Sequence, residues 1–125
     1  MTLKIKICGL STLEHIDMVI NSNADMAGFI FANPSPREIK PSVAKKLSFS
    51  SAAQSLDRVA VFVDPSNKHL EEAIDSIDAT FIQLHGNETV DRCIEIKSIT
   101  GLPVIKSIGI LDKRDIKVTQ EYKNS

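Results

Sequence analysis

The feature that most constrains the fold of this chain is a regular alternation of short apolar runs with longer segments of helical period. The apolar runs are of strand length and nearly continuous, as is typical of strands buried on both faces of a sheet. The predicted strands cover residues 3–8, 26–31, 58–63, 79–84 and 103–107, and the predicted helices cover 12–22, 41–53, 67–76, 88–99 and 113–122. Such alternation is typical of βα units around a parallel sheet. We therefore predict an α/β fold of five βα units in a single domain over residues 1–125.

Local signals set the ends of several predicted helices. Ser11 and Glu14 have the spacing of a capping box, so we expect Ser11 to cap the first helix. Pro41 suits the first position of the second helix. Gly101 is expected to end the fourth helix, and Pro103 to open the strand that follows. These signals support the division into five units.

The charge of the chain argues against nucleic acid and membranes as partners. Its 125 residues carry 15 Lys and Arg against 16 Asp and Glu, a net charge of −1, and the basic residues are scattered. Binding to nucleic acid or to an anionic membrane needs a basic patch. Apolar runs fall short of the roughly 18 residues of a membrane helix, and the first residues form a strand pattern rather than a signal peptide. We expect a cytoplasmic protein with a small-molecule or protein partner.

The two cysteines, Cys8 and Cys93, have neither the spacing of a metal site nor the density of a disulfide scaffold, so we expect free thiols. Cys93 falls on the core-facing side of a predicted helix, where a structural role is expected. Cys8 ends the first predicted strand. A cysteine there is compatible with two roles, a small buried side chain or a reactive group.

Polar side chains gather at the carboxyl ends of the predicted strands. Because side chains alternate along a strand, Lys6 shares one face with Cys8, while Ile5 and Ile7 are expected to pack under helices. Ligands of α/β folds bind at this edge, since βα loops and helix N-termini converge there. Cys8 is therefore a candidate for a functional site.

The fourth and fifth strands repeat this pattern. Gln83 and His85 share one face of the fourth strand, and Lys106 closes the fifth. His85 either belongs to a site or caps the next helix with its ring. The lysines at the two strand ends could equally pair with carboxylates elsewhere in the fold. The other histidines, His15 and His69, are expected on solvated helix surfaces.

The loop after the second strand, residues 32–37, contains two prolines and ends in Arg37. Proline fixes its own backbone and restricts the residue before it to extended geometry. A stiff loop of this kind would hold the guanidinium near the strand end, where it could bind a carboxylate or phosphate through two hydrogen bonds. An ordinary surface arginine is the alternative.

Five segments, taken in order, resemble phosphoribosylanthranilate isomerases. They are Lys6-Ile7-Cys8-Gly9-Leu10, Gly28-Phe29-Ile30-Phe31 with Ser35-Pro36-Arg37, Val59-Ala60-Val61-Phe62-Val63, Gln83-Leu84-His85-Gly86 and Val104-Ile105-Lys106. The resemblance spans nearly the whole chain. It implies the (βα)8 TIM-barrel fold and, without metal or organic cofactor, an Amadori rearrangement in tryptophan biosynthesis. The substrate would be N-(5-phosphoribosyl)anthranilate and the product 1-(2-carboxyphenylamino)-1-deoxyribulose 5-phosphate.

The resemblance also implies roles for three residues. Cys8 would be the general base that removes the C2′ proton, after a general acid has opened the furanose ring to a Schiff base. Arg37 would bind the anthranilate carboxylate, and His85 would line the substrate pocket. A thiolate is favoured beside a cation or a helix N-terminus, and the helix that follows Ser11 is the candidate for the latter.

Members of that family have eight βα units, so part of the machinery is expected to be missing from these residues. The catalytic aspartate would lie on a later strand, and such barrels bind phosphate on the loops after strands seven and eight. We expect the 125 residues to carry the base and the carboxylate clamp without completing the reaction alone. An open sheet would expose two edges, which favours self-association.

Two alternatives stay open at this point. Five βα units also fit a phosphoacceptor signalling domain with a flavodoxin-like sheet, in which Asp64 and Lys106 would occupy functional strand ends. Mg²⁺-dependent phosphoryl transfer, however, needs an acidic pair at the end of the first strand, where Cys8 stands. The second alternative is a non-catalytic remnant that folds only within an oligomer.

Overall fold

Five parallel strands alternate with helices in the computed structural model, which describes residues 2–49 and 55–123. The strands are β1 Lys6–Cys8, β2 Met26–Ile30, β3 Asp57–Phe62, β4 Phe81–Leu84 and β5 Val104–Lys106. The helices are α1 Leu13–Asn21, α2 Pro41–Ser48, α3 Asn67–Ile77, α4 Val90–Thr100 and α5 Lys113–Val118, and a 3₁₀ turn at Thr119–Tyr122 follows α5. The predicted α/β fold of five βα units is confirmed, with element ends that differ by a few residues.

The order of the strands decides between the two kinds of parallel sheet considered above. They lie side by side in sequence order, β1-β2-β3-β4-β5, and every neighbouring pair is parallel. Successive βα units of a (βα)8 barrel have this order. A flavodoxin-like sheet has the order 2-1-3-4-5. The phosphoacceptor interpretation is therefore wrong, and the sheet is part of a barrel.

The sheet separates two apolar clusters, because alternate residues of each strand point to opposite faces. The helix-facing cluster contains Phe29, Phe62, Ile82 and Leu84, each fully buried. The inner face carries a smaller cluster that includes Met26, Ile30, Ala32, Val59 and Val61, with Cys8 packed against it. Burying one such large apolar side chain contributes about 1.5–3 kcal/mol. The inner face is thus filled with side chains up to the carboxyl edge of the sheet.

The start of α1 differs from the prediction by one residue. Thr12, rather than Ser11, caps the helix, and its Oγ1 accepts a hydrogen bond from the His15 N–H at 3.1 Å. Ser11 and Thr12 can both cap a helix, but α1 begins at Leu13, so Thr12 is the residue in the cap position. The capping box predicted for Ser11 and Glu14 is therefore wrong. Asp112 and Asp115 form such a box at the start of α5.

The predicted ends of α2 and α4 agree with the structure in some places and differ in others. Pro41 takes the first turn of α2, and Gly101 ends α4 in the left-handed region at φ +68°. Helix α2 ends at Ser48, and residues 50–53 of its predicted range lie outside the described residues. Helix α4 begins at Val90 after its cap Thr89, two residues later than predicted. That shift leaves residue 88 in the loop at the strand edge.

Ile5 does not pack under a helix as predicted. It lies before β1 and is 48% exposed, whereas Ile7 packs against the helix-facing cluster. The backbone N–H of Ile5 donates to the Asp25 carboxylate at 2.8 Å. In the parts of the chain that the structure describes, no helix is long and apolar enough to cross a membrane.

Candidate active site

Cys8 lies at the carboxyl end of β1, on the inner face of the sheet. Its side chain is half-buried and its thiol is free. Across the sheet it is paired with Gly28 of β2, and a Cβ placed on Gly28 would come within 2.7 Å of the Cys8 Sγ. Beyond Cys8, the N–H groups of Gly9 and Leu10 both donate to the Gly28 carbonyl, at 3.0 and 3.2 Å. The strand end that carries the thiol is therefore tightly held, and glycine at position 28 provides its space.

Arg37 reaches the same strand end from the loop after β2. Its Nη1 lies 3.5 Å from the Cys8 carbonyl oxygen, to which it donates. The guanidinium crosses Gly9, whose φ is +83°, and a Cβ on Gly9 would lie 2.6 Å from Nη1. Glycine at position 9 thus provides both the left-handed backbone and the clearance for the arginine. The side chain is exposed, so the remaining donors of its fork can bind a ligand.

The loop that holds Arg37 is built from hydrogen-bonded turns. The Ser35 N–H donates to the Ala32 carbonyl at 3.0 Å, and the Glu38 N–H donates to the Ser35 carbonyl at 3.1 Å. The Arg37 N–H donates to the Ser35 Oγ at 3.2 Å. Each proline takes a central position of one of these turns, which the backbone angle that proline fixes suits. Hydrogen bonds within the loop therefore help to hold Arg37 beside the end of β1.

His85 stands apart from the first two candidates. It follows β4 with an exposed side chain, and its backbone N–H donates to the Phe62 carbonyl at 2.9 Å. It lines a cavity of about 520 Å³ together with Asn87, Lys106, Ser107 and Tyr122. Neither Cys8 nor Arg37 lines that cavity. The structure therefore brings Cys8 and Arg37 together and places His85 elsewhere along the same edge of the sheet.

Lys106, at the end of β5, pairs with a carboxylate, which was one of the two interpretations of that residue. Its Nζ lies 3.1 Å from the Glu88 Oε1, and the two side chains are 9% and 1% exposed. The Nζ also donates to the carbonyls of Gly86 and Ser107, at 2.8 and 3.0 Å. All three donors of the ammonium are engaged within the protein.

The Glu88 carboxyl group has a lowered pKa. Burial acts to raise it, but hydrogen bonds from the N–H groups of Asp64 and of Glu88 itself outweigh burial, together with the Lys106 ammonium. Burial raises the pKa of the Cys93 thiol, which lies fully buried in α4. Cys93 is therefore a core residue, as predicted.

A second chain of hydrogen bonds crosses the inner face of the sheet. The Lys6 Nζ donates to the Gln83 Oε1, and the Gln83 Nε2 donates to the Ser107 Oγ at 2.9 Å. Gln83 is 8% exposed. Lys6 therefore contacts an amide rather than the carboxylate considered above, and the chain links β1 to β4 and to the loop after β5.

His69 is not a solvated surface residue as predicted. Its ring packs edge-on against Phe62, with centroids 5.5 Å apart, and its Nε2 lies 2.7 Å from the Phe31 carbonyl oxygen. Only an N–H at Nε2 can donate to that carbonyl. His15 is also partly buried, with its Nδ1 3.2 Å from the Ser11 backbone nitrogen.

The importance of Glu88 was missed at the level of sequence. The predicted helix 88–99 placed it in a first helical turn, where acidic residues are common. Recognising Thr89 as the cap would have put Glu88 in the loop at the strand edge. Within residues 2–49 and 55–123, no group of three or more His, Cys, Asp or Glu side chains could hold a metal ion.

The amino-acid sequence is similar to a known enzyme family. Residues 5–125 match the family model described as N-(5′-phosphoribosyl)anthranilate (PRA) isomerase. The isomerase of Agrobacterium fabrum strain C58 is 42% identical over 118 residues, which are 94% of this chain and 53% of that protein. The isomerase of Rhizobium meliloti strain 1021 is 37% identical over 122 residues, or 98% of this chain and 56% of that protein. The chain thus spans about half the length of these curated relatives.

Solved structures agree with the sequence matches. A phosphoribosylanthranilate isomerase in complex with reduced 1-(o-carboxyphenylamino)-1-deoxyribulose 5-phosphate superposes with a TM-score of 0.89 at 30% identity. The superposition covers 98% of this chain and 61% of that one. The isomerase from Thermotoga maritima gives the same TM-score and identity over 98% of this chain and 58% of its own.

Proposed function

Because the chain belongs to the N-(5′-phosphoribosyl)anthranilate isomerase family, we propose that it supplies the general base and the carboxylate-binding residue for the Amadori rearrangement of N-(5′-phosphoribosyl)anthranilate. The observation that carries this proposal is that the Cys8 thiol and the Arg37 guanidinium belong to the same strand end, where the Arg37 Nη1 lies 3.5 Å from the Cys8 carbonyl oxygen. Two glycines, Gly9 and Gly28, leave the space for both groups.

Cys8 is the general base of the proposed reaction. Opening of the furanose ring gives a Schiff base between the anthranilate nitrogen and C1′. The Cys8 thiolate then takes the proton from C2′, the C–H electron pair forms a C1′=C2′ bond, and the π pair of the C1′=N bond moves onto the protonated imine nitrogen to give an enolamine. Tautomerisation to the C2′ ketone gives the product. A half-buried thiol on the inner face at the carboxyl edge of the sheet suits this role, because ligands of such barrels bind at that edge.

Arg37 binds the anthranilate carboxylate in this proposal. Its Nη1 donates to the Cys8 carbonyl at the end of β1, and the side chain is exposed. A planar fork held in this way matches the two oxygens of a carboxylate. Binding the aromatic carboxylate beside Cys8 would place the sugar carbons near the thiol.

In this proposal His85 lines the part of the substrate pocket near the ends of β4 and β5, away from Cys8 and Arg37. Its exposed ring borders the cavity of about 520 Å³, beyond the inner-face chain of Lys6, Gln83 and Ser107. The curated relatives are about twice as long as the matched segment. We assign the general acid and the phosphate-binding loops to the part of their fold that lies outside this match.

Self-association is part of the proposal. The strands at the two ends of the described sheet, β1 and β5, each have one paired neighbour, and exposed apolar side chains flank them at Leu3 and Leu111, 82% and 97% exposed. A solved structure described as monomers generated from the dimeric phosphoribosylanthranilate isomerase of Thermotoga maritima superposes with a TM-score of 0.87 at 30% identity. Size-exclusion chromatography with light scattering should give a species larger than the 13.7 kDa chain. A monodisperse monomer would contradict this part.

A cytoplasmic location, the reducing compartment that suits two free thiols, completes the proposal.

A chimera tests the proposed activity. In the Agrobacterium fabrum isomerase, the segment matched by this chain is replaced by the corresponding residues of this chain, and folding is checked by circular dichroism and thermal melting. The chimera should convert N-(5′-phosphoribosyl)anthranilate to the deoxyribulose phosphate, and the product is measured by chromatography. A folded chimera that binds the reduced product analogue but does not turn substrate over would refute the proposal.

A further inference from the structure

The carboxylate of Glu88 joins the ends of three neighbouring strands. Its Oε2 accepts a hydrogen bond at 2.8 Å from the N–H of Asp64, which lies just beyond β3. Both of its oxygens accept from the N–H of Gly86, beyond β4, at 2.9 and 3.2 Å. The third partner is the Lys106 ammonium at the end of β5, 3.1 Å from Oε1. We refer to Glu88, Asp64, Gly86 and Lys106 as the Glu88 clip.

The clip is closed by a second carboxylate. The Asp64 Oδ1 accepts from the Asn87 N–H at 2.9 Å, so the loops after β3 and β4 are bonded in both directions. Asp64 has a φ of +45°, a left-handed conformation that is uncommon for a residue with a side chain. A Cβ on Gly86 would lie 2.7 Å from the Asp64 Oδ2 and 2.8 Å from the Glu88 Oε2. A side chain at position 86 would collide with both carboxylates, so this arrangement needs a glycine there.

Lys106 supplies the compensating charge and is engaged in full. Its three donors go to the Glu88 Oε1 and to the carbonyls of Gly86 and Ser107. The ammonium also lies 5.9 Å from the centre of the Tyr122 ring. A lysine without a remaining donor holds the loop rather than a ligand.

His85 lies between Leu84, whose carbonyl accepts a hydrogen bond from the Ser107 N–H at 2.9 Å, and the bonded Gly86. The His85 N–H is bonded to the Phe62 carbonyl, and Gly86 is bonded through its N–H to Glu88 and through its carbonyl to Lys106. The backbone on both sides of His85 is therefore fixed while its ring stays exposed. We propose that Glu88 is a positioning residue, which through the clip holds the His85 ring in the orientation that the substrate pocket requires. This inference rests on the proposed function, in which His85 lines that pocket.

Glutamine at position 88 tests the clip, because it keeps the shape of the side chain and removes its charge. The NH₂ group of the glutamine would face either the Gly86 N–H or the Lys106 ammonium. Two hydrogen-bond donors would then face each other without an acceptor between them. Losing hydrogen bonds to a charged group weakens the loop by about tenfold to a hundredfold in its opening equilibrium. We expect the Gly86 and Asn87 amides to exchange with solvent faster in Glu88→Gln by that factor. Glu71→Gln, the same change at an exposed glutamate of α3, is the control.

The three histidines of the chain provide a readout that global destabilisation would not mimic. In a carbon–proton correlation spectrum, the Cε1–H resonance of His85 should move toward the free-histidine position in Glu88→Gln. Those of His15 and His69, which lie in other parts of the fold, should stay. Lys106→Met should produce the same selective shift.

The inference is overturned if the His85 resonance is unchanged in a folded Glu88→Gln, or if all three resonances shift together. Should both variants fail to fold, native-state exchange of the unmodified chain decides: the Asp64, Gly86 and Asn87 amides should be protected like strand amides, and free exchange would refute the clip. None of these readouts uses substrate. Failure of the chimera to turn over would therefore leave them unaffected, and loss of the selective shift would leave the isomerase proposal standing.

Discussion

Cys8 of β1 and Gly28 of β2 are partners in the sheet, and the Cys8 thiol occupies the space that a side chain at position 28 would fill. A Cβ on Gly28 would lie 2.7 Å from the Cys8 Sγ and 3.1 Å from the Cys8 Cα. The 2.7 Å distance is shorter than Cβ contacts found in proteins, and 3.1 Å is tighter than most of them. Gly28 therefore affects the site because it has no side chain that would collide with the thiol. It keeps the half-buried thiol on the inner face, at the edge where a ligand would lie.

Gly28→Ala should displace the thiol and strain the strand pair. Overpacking of a tight site destabilises by about 1–3 kcal/mol, measured as the free energy of unfolding in urea. The rate at which Cys8 reacts with an aromatic disulfide should change in the same variant, while Cys93 stays protected in the core. Gly109→Ala is the matched control, since no described atom lies within 4 Å of a Cβ at that position. Equal effects in the two variants would contradict the account.

Gly9→Ala should displace Arg37. Alanine in the left-handed region is unfavourable by about 1–2 kcal/mol, and Gly101→Ala tests that strain alone, because its φ is +68° and no described atom lies near its Cβ. Gly9→Ala adds a contact of 2.6 Å with the Arg37 Nη1 and should be the more destabilising of the two. In the chimera it should also weaken binding of the reduced product analogue, whereas Gly101→Ala should not. Equal losses of stability and unchanged binding would show that Gly9 has no influence on the arginine.

Sequence alone predicted the fold and the candidates at its edge for clear reasons. The alternation of apolar runs with amphipathic segments forces βα units, and the two-residue period of a strand places Lys6 with Cys8 and Gln83 with His85. The position of Arg37 next to Cys8 was beyond such rules, because it depends on the turns at Ser35 and on the clearance at Gly9. A local pattern contains neither of these.

The errors have a common physical origin in tertiary contacts. His69 looked solvated because its helix position is peripheral, yet Phe62 and the Phe31 carbonyl approach it from two strand ends. Glu88 looked like a first-turn residue, yet its partners lie 24 and 18 positions away, at Asp64 and Lys106. Such partners are set by the order of the strands, which the sequence left open between a barrel and a flavodoxin-like sheet.

The Glu88 clip makes stability depend on acidity. The folded-state pKa of Glu88 is lower than its value in the unfolded chain, so its contribution is present above the ordinary carboxyl pKa of about 4.3 and is lost as the pH falls through the lower folded value. The titratable groups around it are Asp64, Lys106, Cys93 and the neighbouring His85. Urea unfolding between pH 7 and pH 3 should show a steeper acid loss in the wild type than in Glu88→Gln. The capping carboxylates Asp112 and Asp115 also have lowered pKa values and contribute acid loss equally in both proteins. Identical pH profiles would refute the assignment.

Lys106→Met should be among the most destabilising single changes at this edge. Removing one partner of a buried ion pair leaves the other charge uncompensated and typically destabilises by about 3–5 kcal/mol. The Glu88 and Lys106 side chains are buried enough for this range to apply. Lys68→Met breaks a solvent-exposed pair with Glu72 and should change the free energy of unfolding by at most about 1 kcal/mol. A loss below that limit in Lys106→Met would contradict the structural role of the pair.

His69→Leu tests the corrected position of that ring. It removes the hydrogen bond to the Phe31 carbonyl and the edge-on contact with Phe62, which together should destabilise by about 1–3 kcal/mol. His15→Leu, at a more peripheral position on α1, should have a smaller effect in the same urea titration. Equal free energies of unfolding in the two variants would contradict the packed position of His69.

The central claim is that Cys8 is the base of the proposed rearrangement, and steady-state kinetics of the chimera with Cys8→Ala test it most directly. General-base assistance contributes about 10²–10⁴-fold, so kcat should fall by that factor while KM changes little. Arg37→Met in the same chimera should instead raise KM. Undiminished kcat in a folded Cys8→Ala chimera would contradict the account.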